Sequence, residues 1–338
     1  MVFVVRGGRS KRRSQEKEVT PGGVLATKFT LGEISQKLSI MKHLLSLEKL
    51  PAADIEKILR DSVVFKRERA RRDRIPLTGQ IWALLFAKSS TRTRVSFEVG
   101  IRELGGQPLF LSANDIQLGR GEPVRDTARV LGSMIHGAVI RTFAQSDVEE
   151  FAEFAKIPTL NALTDDEHPC QILTDIFTFK EKRGPIAGKV VTFVGDGACN
   201  VARSWIFAAA KFSFELRLAA PKKFQPPTAV LKRAGGKISC TENVEKAAKG
   251  ADLLYTDVWI SMGKEDESAE RRKLLSDYQL NQKLVKLAKP DALVMHCLPA
   301  YRGMEIDGET FDANADTIFT QAENRLHVQK AILNWAVS

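Results

Sequence analysis

Between residues 89 and 94 the chain reads Ser89-Ser90-Thr91-Arg92-Thr93-Arg94, hydroxyls and guanidiniums in one short run. An apolar segment, 81–86, comes just before it and reads as a buried strand. Just after it, Val95, Phe97, Val99, Ile101 and Leu104 recur at helical spacing until Gly105-Gly106. Ser90 thus falls at the N-cap, where unpaired backbone N–H groups and the positive end of the helix dipole meet. With arginines beside them, such a turn can hold a phosphate or another small dianion. By itself the run equally fits an ordinary cap with solvated arginines.

Other chemistry-bearing residues recur at strand ends. A strand at 108–112 leads to Gln117, one at 138–141 ends in Arg141, and one at 159–161 leads to His168-Pro169-Cys170-Gln171. In open parallel sheets ligands bind at the C-terminal ends of the strands. Gly195-Asp196-Gly197 invites a dinucleotide reading, but position 200 is Asn and the next strand ends in Leu218-Ala219-Ala220, with no acid for a ribose. A tight strand-to-helix turn accounts for the glycines, and Asn200 still stands at the ligand-facing mouth. Asp257, followed by Ser261-Met262-Gly263, suits an ammonium partner or a helix cap. His296-Cys297-Leu298-Pro299 puts a thiol at a strand tip, where a lone cysteine is more often inert and buried.

These residues need a frame of alternating strands and helices. The 338 residues suit two α/β domains. A helix at 51–65 carries Ile55, Ile58, Leu59 and Val63 on one face, and the first strand–helix series runs to a helix opened by His168-Pro169. Gly184-Pro185 marks a joint. The second series has strands at 190–194, 215–219, 252–255 and 293–295, then a short strand at 317–319 and a last helix at 322–337. The expected divisions are a basic, disordered extension at 1–40, a first domain at 41–183, a second at 184–317, and a C-terminal helix at 318–338.

Net charge is +10, and half of it sits in the first 28 residues, where seven Lys and Arg face two Glu. No helix-turn-helix, RNP or zinc-finger pattern accompanies it, so no nucleic-acid partner is expected and the surplus suits an anionic substrate. Cys170, Cys199, Cys240 and Cys297 form no C-x-x-C pair and His is scarce. Neither a disulfide framework nor a metal site is indicated, and a cytoplasmic location is expected. No apolar run approaches the ~20 residues of a membrane span.

Taken in order, the Ser90–Arg94 run, Gln117, Arg141, His168-Pro169-Cys170-Gln171, Asp257 with Ser261-Met262-Gly263, His296-Cys297-Leu298-Pro299 and Gln321-Ala322-Glu323-Asn324-Arg325 resemble the carbamoyltransferase family on its ornithine branch. The resemblance covers about residue 42 to the C-terminus, and the Ser-Met-Gly loop separates ornithine from aspartate enzymes. It implies two doubly wound parallel-sheet domains with the active site in the cleft between them, and a C-terminal helix returning to the first domain. The implied reaction moves the carbamoyl group of carbamoyl phosphate to the δ-amine of L-ornithine, giving citrulline, with no cofactor. It also implies a homotrimer or a multiple of trimers.

By the same resemblance, Ser90, Thr91, Arg92 and Thr93 hold the phosphate, and Arg141, His168 and Gln171 hold the carbamoyl end, with Gln117 in support. Cys297 and Leu298 line the reacting centre and Arg325 reaches back to it. Asn200, Asp257, Ser261 and Met262 bind ornithine. The catalytic set is Arg92, Arg141, His168, Asp257 and Cys297. The alternatives are another acceptor amine (aspartate, putrescine, an acylated ornithine) or an idle anion-binding protein on this fold.

Overall fold

The computed structural model describes residues 41–71, 73–112, 121–260 and 265–338. The extension expected at 1–40, Gln117, Ser261 and Met262 lie outside them.

Two wholly parallel sheets carry the chain. The first joins β1 (Ile81–Phe86), β2 (Gln107–Ser112), β3 (Gly137–Arg141) and β4 (Thr159–Leu163) in the order β2-β1-β3-β4. The second joins β5 (Val190–Val194), β6 (Glu215–Ala219), β7 (Lys237–Thr241), β8 (Leu253–Thr256) and β9 (Leu293–His296) in the order β7-β6-β5-β8-β9. Central strands such as β3 and β8 are buried along their whole length, because helices cover both faces of a parallel sheet. In each sheet the strand order reverses beside its first strand, leaving a crevice at the C-terminal ends of β1 and β3 and of β5 and β8.

Register then places the functional turns. Phe86 pairs with Arg141, so the turn after β1 starts beside the arginine that ends β3. Thr256 pairs with His296, so the next residues, Asp257 and Cys297, emerge side by side. The terminal helix Ala315–Ala336 packs against the helices Ala52–Arg67, Thr91–Glu103 and Pro169–Arg183 of the first half and also touches β9. Its Val328, Ile332, Leu333 and Trp335 join one apolar cluster with Trp82 and Phe97 of the first half and Trp205 and Tyr255 of the second.

Three expectations need correction. Residues 317–319 are not a strand; they lie in the first turns of the terminal helix, where Ile318 is buried and Phe319 exposed. The edge strand β7 was not expected, because Lys237-Ile238-Ser239-Cys240-Thr241 lacks an apolar run and is only half-buried. Val63 and Val95 face outward, while Ser62, Phe65, Ser96 and Gly100 turn inward. Small residues fill the buried stripes where helices approach closely, so counting apolar side chains misplaces the faces.

Candidate active site

Ser90 caps the helix Thr91–Glu103 as its position requires: its Oγ accepts from Thr93 N at 3.3 Å, and no acid occupies the first turn. Thr91 and Arg92 follow with side chains open to solvent to differing degrees, whereas Thr93 is buried. Thr93 Oγ1 accepts from Arg325 Nη2 at 2.6 Å, which ties the capped turn to the terminal helix. Arg94 does not join them: it pairs with Glu98 at 2.8 Å and stacks over Phe110, 3.6 Å from the ring centre.

Ser90, Thr91, Arg92, Thr93, Arg141, His168, Gln171, Asn200, Asp257, Cys297, Leu298 and Arg325 all line one cleft of about 840 Å³. Residues from both sheets therefore converge, as the family resemblance implies. Arg141 and Arg325 are nearly fully buried there. Burial first, then the charges of Arg325 and Arg92, brings Arg141 down to about 10. It remains a cation at neutral pH, beside the like charges of Arg325 and Arg92. The same burial, with Arg325 and Arg141 beside it, holds the His168 imidazole well below its usual value, so it is neutral. His168 caps the Pro169–Arg183 helix, and its backbone N–H donates to Ser204 Oγ at 2.8 Å.

On the second sheet's side, Asn200 opens the helix Asn200–Lys211 and donates through Nδ2 to Thr164 O at 2.7 Å. The Cys297 thiol donates to Asp257 Oδ1 at 2.9 Å, and the same oxygen accepts from Val258 N at 2.8 Å. Burial, then the Asp257 charge, pushes the thiol well above its usual value, so it stays protonated. Burial also raises the Asp257 carboxyl. Leu298 lies in the left-handed region at φ 59°, and its N–H donates to His296 Nδ1 at 2.9 Å. His296 Nδ1 is thus the acceptor, leaving Nε2–H to Glu305 Oε1 at 3.0 Å.

Sequence reasoning missed several lining groups. Lys88 is buried, paired with Asp165 and set 4.2 Å over the Phe143 ring. Its place just past β1, beside the serines, was the available signal. Arg271 and Asp196 form a buried pair at 2.7 Å on the cleft wall. Asp196 lay in the glycine turn, but nothing local in the sequence links it to Arg271. Among the described residues no cluster of His, Cys, Asp or Glu is placed to hold a metal ion.

The chain that builds this cleft is matched by two family models. One, the carbamoyl-P binding domain of aspartate/ornithine carbamoyltransferase, covers residues 42–181; the other, its Asp/Orn binding domain, covers 187–336. The chain belongs to the aspartate/ornithine carbamoyltransferase family. Within that family it is 52% identical to an ornithine carbamoyltransferase of Akkermansia muciniphila, over 87% of this chain and 97% of that one. Solved structures agree. The ornithine carbamoyltransferase of Pyrococcus furiosus superposes with a TM-score of 0.81 at 44% identity, covering 86% of this chain and 96% of that one. The anabolic enzyme of Campylobacter jejuni gives 0.83 at 40% identity, covering 88% and 99%.

Proposed function

We propose that this chain transfers the carbamoyl group of carbamoyl phosphate to the δ-amine of L-ornithine, giving L-citrulline and phosphate. The observation that carries this reading is the single cleft in which the capped Ser90 turn, three buried or half-buried arginines and the Asp257–Cys297 pair meet. The phosphate sits at the N-terminus of the helix Thr91–Glu103, against Ser90, Thr91, Arg92 and Thr93. Arg141, the neutral His168 and the Thr93 hydroxyl donate to the carbonyl oxygen as negative charge develops on it. Arg325, held by Thr93, adds charge where phosphate departs.

Ornithine enters from the side of Asn200 and Asp257, with Ser261 and Met262 completing its site. Its δ-amine must be neutral to attack, while a free alkyl ammonium titrates near ~10.4. The surrounding guanidiniums favour the neutral amine. Cys297, protonated and bonded to Asp257, orients that amine and passes its proton toward the carboxylate; no thiolate nucleophile is needed, because the donor is already activated. Most carbamoyl phosphate contacts belong to residues 41–183, with Cys297, Leu298 and Arg325 added from beyond, and the ornithine contacts belong to 184–317.

The family resemblance further supports a homotrimer, and exposed Val95 and Leu109 give the first half apolar surface for association. The four free thiols suit a reducing cytoplasm, and arginine formation is the matching role. An assay of the ureido product formed from each amine, citrulline in the case of ornithine, tests the reaction: turnover with ornithine far above that with aspartate, putrescine or N-acetylornithine is expected. Preference for any of those three, or no turnover, overturns the assignment.

A further inference from the structure

Behind the cleft wall lies a carboxylate that does not line it. Asp175 is fully buried on the Pro169–Arg183 helix, four residues after Gln171 and so on the same face. Its Oδ1 accepts from Gln171 Nε2 at 2.8 Å and from Gln321 Nε2 at 2.7 Å, and its Oδ2 accepts from Tyr255 OH at 2.8 Å. Three converging donors suit a group that only accepts, which is what an ionised carboxylate offers.

Each donor leads to a cleft residue. Gln171 lines the cleft itself. Tyr255 sits on β8, two residues before Asp257. Gln321 stands one helical turn before Arg325, and its Oε1 accepts from the His296 backbone N–H at 3.0 Å, one residue before Cys297. Binding the Gln171 amide nitrogen also fixes which way that amide faces. Its Oε1, buried and without a hydrogen-bond partner among the described residues, is left to accept from an N–H donor. A carbamoyl NH2 is such a donor.

We propose that Asp175 is a positioning residue for carbamoyl transfer, one carboxylate that sets the Gln171 amide on one side and the strand ends bearing Asp257 and Cys297 on the other. The role rests on the reaction proposed above. It registers both substrates against the same buried group, so their reacting atoms share one reference point. Burial brings the Asp175 carboxyl up to about 7. The groups facing it are Gln171 on its own helix, Tyr255 on β8, Gln321 and Arg325 on the terminal helix, and Cys297 after β9.

Steady-state kinetics of the full chain, with both substrates varied, test the role. Asp175→Asn keeps the shape but loses the charged acceptor. It should lower kcat and raise both KM values, each by roughly tenfold or more, the worth of a hydrogen bond to a charged group. Tyr255→Phe should raise the ornithine KM alone. In a Gln171→Ala background, Asp175→Asn should add little to the carbamoyl phosphate KM, since it acts through Gln171. Full additivity there, or wild-type kinetics in Asp175→Asn, overturns the role. If Asp175→Asn does not fold, an unchanged ornithine KM in Tyr255→Phe overturns it instead. A wild-type chain that forms no citrulline overturns the reaction itself. An active wild type beside an unaffected Asp175→Asn overturns the positioning role alone.

Discussion

Arg92 stands half-exposed in the first turn of a capped helix, and among the described residues no hydrogen bond or ion pair engages its guanidinium. Removing it should therefore cost ligand and not structure. Arg92→Ala is expected to lower kcat/KM for carbamoyl phosphate by roughly 10²–10³, the usual loss of one preorganised donor to developing charge, with the melting temperature nearly unchanged. Kinetics and calorimetry on the same preparation check both halves. Cys297 is a different case, because its thiol is bonded to the Asp257 carboxylate. Cys297→Ser exchanges a weakly donating thiol for a shorter, stronger hydroxyl donor and shifts where the amine proton rests. We expect a higher ornithine KM and slower turnover at an unchanged carbamoyl phosphate KM; equal rises in both would mark a purely structural thiol.

At the scale of elements, the close approach of two helices matters most. A Cβ on Gly100 would come within 3.3 Å of Lys330 and 3.7 Å of Leu326 on the terminal helix. Larger side chains must push the helix Thr91–Glu103 away from the helix that carries Arg325. Their link at the cleft, Thr93 to Arg325 at 2.6 Å, lies two turns from Gly100. Gly100→Leu should cost about 1–3 kcal/mol of stability, as overpacking does. It should also weaken carbamoyl phosphate binding more than ornithine binding, because the ornithine side rests on β8 and β9. Chemical denaturation and substrate titration measure the two effects separately.

For the molecule as a whole, two buried carboxyls set an unusual pH response. Glu167 accepts from Ser46 Oγ at 2.6 Å and Leu47 N at 2.8 Å, and burial raises it from 4.5 to about 7. Asp175 is raised from 3.8 to about 7, also by burial. A carboxyl whose folded value exceeds its unfolded one takes up a proton on folding. Its stabilising contribution is full below the unfolded value and is lost as pH rises through the folded one. These two groups should therefore lower stability between about pH 4 and pH 7, against the trend set by paired surface carboxylates. Glu167→Gln should flatten that decline, so that the variant gains on the wild type at pH 8 relative to pH 5. Melting temperatures at the two pH values decide it, and parallel shifts would count against a titrating Glu167.

Much of this protein was already written in local sequence. A serine before a helical run caps it, Pro169 begins a helix, and polar residues beyond apolar strands mark the binding edge of a parallel sheet; each follows from neighbours along the chain. Strand-end positions also marked Arg141, His168, Asp257 and Cys297 as ligand-facing, while their meeting in one cleft was expected from the family resemblance. Partners distant in sequence were not. Lys88 with Asp165, Arg271 with Asp196, and the three donors around Asp175 meet only because strand order and register bring them together. Which helical face turns inward was also decided late, since the small residues at 62, 96 and 100 are buried by the neighbour that packs there and not by their own hydrophobicity. Local hydrogen bonding and periodicity act over a few residues, whereas burial and charge pairing depend on whatever the folded chain brings alongside.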